Sequence, residues 1–203
     1  MSVKFVRLGS LCKFLNGGTP SKQIPEYYSG PIPWITGTDI SDGKISVARS
    51  HITERAIRES ATNLIKKGTL LLVTRTSVGK TALAYDDLCF SQDITAILPE
   101  ETLLDKGYLL WFIQDRQNYF KSVQRGATIQ GITRDVLASL EIPLPPLTEQ
   151  KRIAAILDEA DTLRRKRREA IAKLDMLLQS VFLEMFGDPI TNPMGWTVGS
   201  IDI

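Results

Sequence analysis

The sequence predicts an α/β (α+β) globular domain followed by a long coiled-coil helix. Three observations lead there. Short apolar runs rich in β-branched residues, separated by Gly and Asp turn signals, fill residues 1–142. A proline-dense stop follows at Pro143-Leu144-Pro145-Pro146. Beyond it, apolar residues recur at helical spacing as far as Phe186, with no proline and no glycine between.

Within the first region, Trp34 to Ile40 and Lys44 to Val47 read as strands around the turn Ser41-Asp42-Gly43. Gly68-Thr-Leu-Leu-Leu-Val-Thr74 reads as a buried strand. Thr81 to Tyr85 and Ile94 to Leu98 read as two more. Helices are expected at 53–60 and at 106–124. Tyr108, Trp111, Phe112, Asp115, Tyr119 and Val123 mark one face of the second. Its aromatics read as core rather than as base-stacking residues. Gly126 to Gly131 is a loop, and Arg134 to Leu140 a short helix before the extended Ile142-Pro-Leu-Pro-Pro. Residues 1–142 therefore form one domain, 143–188 a stiff entry plus helix, and 189–203 a tail.

The prolines forbid an earlier helix start, Thr148 is the expected N-cap, and Glu149 suits the positive end of the helix dipole. Ile153, Ile156, Ala160, Leu163, Arg167, Ala170, Leu174, Leu177 and Val181 alternate steps of three and four. That is a coiled-coil seam of about four heptads, broken once by Arg167. From Thr148 to Phe186 the rise is roughly 58 Å. A stripe of that length needs a partner helix, so the chain is built to be half of something. Gly187 followed by Pro189 is a stop signal. The tail from Trp196 to Ile203 loosely echoes Phe5 to Leu11, as the start of a second repeat would.

Bulk properties exclude several functions. The formal net charge is +2; residues 1–147 carry 17 Lys/Arg against 14 Asp/Glu, and 148–186 carry 8 against 7. Any nucleic-acid footprint must therefore come from clustering. Cys12, Cys89 and His51 lack metal-ligand spacing, and the two cysteines read as core residues of a reducing, cytoplasmic environment. There is no signal core and no membrane-spanning run. Ser77-Val-Gly79-Lys80-Thr81 falls short of a phosphate-binding loop, because Thr74 stands where the first glycine belongs. Neither a methyltransferase motif nor a nucleophile elbow is present, and the acidic residues are scattered. No catalytic residue and no metal site is assigned.

Binding chemistry is better represented. Arg75, Thr76, Ser77 and Lys80 place two cations and two hydroxyls on one strand-to-strand loop. Arg125, Thr128, Gln130 and Arg134 form a second polar loop, and Lys22 closes a third, Gly17-Gly-Thr-Pro-Ser-Lys22. Arg reads guanine, Gln reads adenine, and Lys, Ser and Thr favour phosphate. Ordinary solvated loops are the competing reading. Arg164 to Arg168 is equally open between a solvated face, a register device and a phosphate contact.

Several of these segments, in this order and spacing, resemble the specificity subunit of type I restriction-modification systems. They are Gly17 to Lys22, Ile32-Pro-Trp-Ile-Thr36, Asp39 to Gly43, Gly68 to Arg75, Ser77 to Lys80 and Gln130 to Thr133. Ile142-Pro-Leu-Pro-Pro-Leu-Thr-Glu-Gln150-Lys-Arg-Ile-Ala, leading into the helix, is the strongest. The resemblance implies a DNA target-recognition domain reading one half of a split double-stranded DNA target. It implies partner methyltransferase subunits and a nuclease/translocase subunit. S-adenosylmethionine, ATP and Mg would belong to those partners, with no cofactor bound here and no catalysis by this chain. In the family two such domains alternate with two antiparallel helices. This chain holds one of each, as an N-terminal half or a natural half-subunit would, so a homodimer through Ile153, Ile156, Ala160, Leu163, Ala170, Leu174, Leu177 and Val181, or capture of that stripe by methyltransferase subunits, is expected. The helix length would cap the separation of half-sites at about seventeen base pairs. A domain of a fused methyltransferase-nuclease and a coiled-coil protein adaptor are the alternatives.

Overall fold

A computed structural model describes residues 3–41, 43–124, 131–197 and 199. Two compact units make up the chain, the first ending at Ala155 and the second starting at Ile156. The division between them lies inside the long helix.

Two four-stranded sheets organise the first unit. One has the order β2 (Cys12–Asn16), β11 (Ile94–Pro99), β8 (Leu70–Val73), β9 (Thr81–Leu83), antiparallel throughout. The other has the order β6 (Ser50–Ile52), β3 (Ile32–Ile35), β10 (Leu88–Phe90), β7 (Leu64–Ile65), with β3 and β10 parallel. All four residues of β8 are buried because both faces are covered. Leu71 and Val73 face a core shared with Ile35, Leu88 and Phe90 of the second sheet. Leu70 and Leu72 face the opposite way. There they join Phe14 with Tyr108, Leu109, Phe112 and Ile113 of α3 (Lys106–Asp115), Phe120 of α4 (Gln117–Val123) and Leu137 of α5 (Arg134–Ser139). A third core behind the second sheet unites Tyr27, Trp34, Ile52, Cys89 and Ala56 of α2 (Glu54–Glu59).

The ends of the domain are tied together. β1 (Phe5–Arg7) pairs antiparallel with β12 (Glu141–Pro143), and α1 (Leu8–Leu11) follows β1 directly. These strands escaped sequence reading because each is only three residues long and its partner lies over 130 residues away. The expected strand 34–40 is broken at 37–39 by a 3-10 turn closed by Thr36 and Asp39, leaving β4 (Ile40–Ser41) to pair with β5 (Lys44–Ile45). The expected helix 106–124 is two helices, broken at Arg116.

Helix α6 runs unbroken over Leu147–Phe186, 40 residues or about 60 Å. It starts one residue before the expected cap, with the Pro146 carbonyl accepting from the Glu149 and Gln150 amides. Gln150 is the anchor, at 1 % exposure. Its Oε1 accepts from the Asp105 amide at 2.9 Å. Its Nε2 donates to the Leu103 and Pro145 carbonyls at 3.0 and 2.8 Å. Ala154 and Ile153 pack into the first unit's helical core. Ile153, expected in the pairing seam, is therefore already engaged by its own domain.

In the second unit the seam residues Ile156, Leu163, Leu174, Leu177 and Val181 are exposed, as are Ala160 and Ala170. The helix ends at Gly187, whose φ of +73° is the left-handed conformation that glycine adopts cheaply. Trp196 then donates its indole N–H to the Phe186 carbonyl at 2.8 Å. Asn192 both accepts from the Trp196 amide and donates to its carbonyl.

Candidate nucleic-acid interface

The antiparallel order of the first sheet decides where the polar loops emerge. The C-terminal ends of β2 and β8 and the N-terminal ends of β9 and β11 lie at the same end. Gly17 leaves β2 with its amide donating to the Ile94 carbonyl, and Gly18 donates to Phe90. The Thr74 and Arg75 amides both donate to the Asp93 carbonyl at 2.8 and 3.3 Å. Gly131 then bridges Arg75, and the Ile132 amide donates to the Thr74 carbonyl at 2.9 Å. The loops carrying Arg75 and Arg134 are thus side by side, with the Gly17-Gly18 turn two strands away.

Loop 74–80 is closed at its base by hydrogen bonds from Val73 to Lys80 and from Gly79 to Val73. Thr76 sits at φ +65°, an outlying conformation for a β-branched residue. Strain of this kind persists only where the surroundings enforce it, and it gathers at functional loops. Gly79 at φ +93° lies against Gln117, whose Cγ would stand 2.8 Å from an added Cβ. Arg75 and Thr76 are exposed, Ser77 and Lys80 half-buried, and Val78 buried as the loop's foot in the helical core.

The other assigned residues divide. Arg134 is exposed at the start of α5, capped by Thr133, and its guanidinium lies 5.8 Å from the Phe14 ring. Lys22 is exposed but four residues past Gly18, in the turn leading to Pro25–Tyr28 of the second sheet's outer layer. Arg125, Thr128 and Gln130 lie outside the described residues.

One feature of this end went unassigned in the sequence, although Thr36-Gly-Thr-Asp39 carries the spacing of a capping box. The Asp39 carboxylate is buried and accepts from the Thr36 amide at 2.8 Å, the Thr36 hydroxyl at 2.9 Å and Arg49 Nε at 2.7 Å. Burial pushes this carboxyl up. The Thr36 amide, Arg49 and the Thr36 hydroxyl outweigh it and hold the group below the usual carboxylate range.

Among the described residues no cluster of three His, Cys, Asp or Glu side chains could hold a metal. Burial pushes the Cys12 thiol to about 12 and the Cys89 thiol to about 11, so neither is a thiolate near neutral pH. Among the described residues no helix is long and apolar enough to cross a membrane.

Comparison with known proteins agrees with this architecture. Residues 2–173 match the family model for the type I restriction modification DNA specificity domain. The type I restriction enzyme MjaIX specificity subunit of Methanocaldococcus jannaschii is 33% identical over 174 residues, which are 84% of this chain and 39% of that protein. The EcoR124I/EcoR124II specificity subunit of Escherichia coli is 34% identical over 168 residues, 79% of this chain and 41% of that protein. A chain from a structural study of the assembly and conformational transition of the type I R-M system superposes with a TM-score of 0.69. It is 26% identical, and the match covers 88% of this chain and 44% of that one. The HsdS subunit from Thermoanaerobacter tengcongensis shares the fold with a TM-score of 0.68 at 24% identity, over 91% of this chain and 44% of that one. This chain spans about two fifths of the length of the curated relatives it matches.

Proposed function

The chain belongs to the type I restriction modification DNA specificity family, and from that premise we propose that it reads one half of a split DNA target for a modification and restriction complex. The observation that carries this reading is the convergence of the Gly17-Gly18 turn, loop 74–80 and residues 131–134 on one end of the first sheet, with Arg75 exposed at its centre. A rigid sheet that holds exposed Arg and Lys on short loops supplies what groove readout needs: fixed donors for base edges and cations for the flanking phosphates. The chain contributes specificity and no catalysis. Methyltransferase and nuclease/translocase subunits assemble with it and hold the S-adenosylmethionine, ATP and Mg of the reaction.

The exposed face of Ile156–Val181 suits a second copy of this chain. Two copies related by a two-fold axis would read an inverted repeat with a fixed gap. The direct test is selection of sites from a random duplex pool by the chain bound to its methyltransferase subunit. The reading predicts an enriched motif whose binding weakens steeply with salt. A stable complex that enriches no motif at any salt concentration would contradict it.

A further inference from the structure

We propose that Arg49 is a further DNA-contacting side chain, preset on the reading edge by the buried carboxylate of Asp39. The proposal rests on the DNA-reading function above and names a residue that its loops do not include.

Among the described ion pairs this one has the most buried carboxylate: Arg49 is 66% exposed and Asp39 3%, against 17% for Asp161, the next most buried acid, opposite Arg164. Asp39 cannot swing, because the Thr36 amide and hydroxyl fix its other oxygen. Arg49 therefore meets a stationary acceptor through Nε, and its Nη2 donates to the Thr38 hydroxyl. Those two contacts use one edge of the guanidinium. Nη1 and the second Nη2 proton form the outward fork, and among the described residues neither Nη1 proton has a partner. A fork of that geometry matches the O6/N7 pair of guanine or two phosphate oxygens. Its orientation is set before binding, so less side-chain freedom is lost on contact.

Its place in the fold puts it with the reading loops. Gly37 packs on Val73, with an added Cβ 3.0 Å from that side chain. Ile40 and Ala48 share the inter-sheet core with Val73 and Ala82. Val73 is the residue from which the 74–80 loop leaves and to which Lys80 returns. The Asp39–Arg49 pair thus flanks the strand end that bears Arg75 and Lys80.

The competing role is neutralisation of Asp39 alone. A lysine performs that role and cannot present a planar fork, so Arg49→Lys separates the two. The experiment compares wild type, Arg49→Lys, Arg49→Ala and the control Arg55→Ala, each complexed with the methyltransferase subunit. Each complex is taken through duplex selection and affinity measurement, with thermal melting as the check on folding. Arg49→Lys is expected to melt like wild type and to bind the wild-type duplex about tenfold more weakly. A lost base preference would identify a guanine contact, and a uniform loss over all sequences in both Arg49 variants a phosphate contact. Wild-type motif and affinity in Arg49→Lys, the result that neutralisation of Asp39 alone predicts, would overturn the proposal whatever Arg49→Ala does. If the unmodified chain enriches no motif, the DNA reading itself fails and takes this assignment with it.

Discussion

At the residue scale, the side chains proposed to read DNA differ from those that hold the fold. Arg75→Ala is expected to relax selection at one base position at a cost of about 1–3 kcal/mol, seen as an altered enriched motif. Lys80→Ala should weaken all duplexes alike and lower the salt slope by about one, measured by titration at several ionic strengths. Asp39 holds: its carboxyl is depressed in the folded state, so the stability it contributes is present above the ordinary aspartate value near ~3.9 and is lost as pH falls through the lower folded value. Asp39→Asn should remove that acid-side loss and lower stability at neutral pH by about 1–3 kcal/mol, read from urea denaturation at stepped pH. Gln150→Leu, which leaves the Asp105 amide and the Leu103 and Pro145 carbonyls without their partner, should cost a similar ~1–3 kcal/mol. That Arg75 and Lys80 share one short polar loop was legible, because hydroxyls and cations crowd that stretch of sequence. Arg49 was not, because its significance lies in a carboxylate ten residues away that only the 3-10 turn aims at it.

At the scale of elements, the long helix and the longer strands followed from pattern alone. β8 read as buried because four consecutive apolar residues fill both faces of a covered strand. The proline stop and the seam gave helix α6 to within one residue of its start. Strands of two or three residues, such as β1, β7 and β12, carry too little periodicity to register and exist because distant partners supply their hydrogen bonds. The dimer proposed above requires a particular pairing of the seam. With a two-fold axis between Arg168 and Glu169, antiparallel copies place Ile156 opposite Val181, Ala160 opposite Leu177, Leu163 opposite Leu174, and Arg167 opposite Ala170. Two of those four layers set a small residue against a long one. Leu163→Cys mixed with Leu174→Cys should therefore form an intermolecular disulfide that neither variant forms alone, visible on a non-reducing gel. If the proposed dimer forms, Leu174→Glu should leave monomers in light scattering where the wild type gives dimers, since it buries a charge in the seam.

At the scale of the whole molecule, the order of motifs from Gly17 to Gln150 carried the family. The meeting of the three loops was not legible, because it depends on strand order. β2, β11 and β8 are neighbours in space although some 50 to 80 residues separate β2 from the others in sequence. The most direct measurement is to co-express this chain with its methyltransferase subunit and map methylated adenines across the host genome. The account predicts a two-fold symmetric, gapped motif whose half-site changes in Arg75→Ala. A stable complex that adds no methylation, or that methylates without regard to sequence, would contradict it.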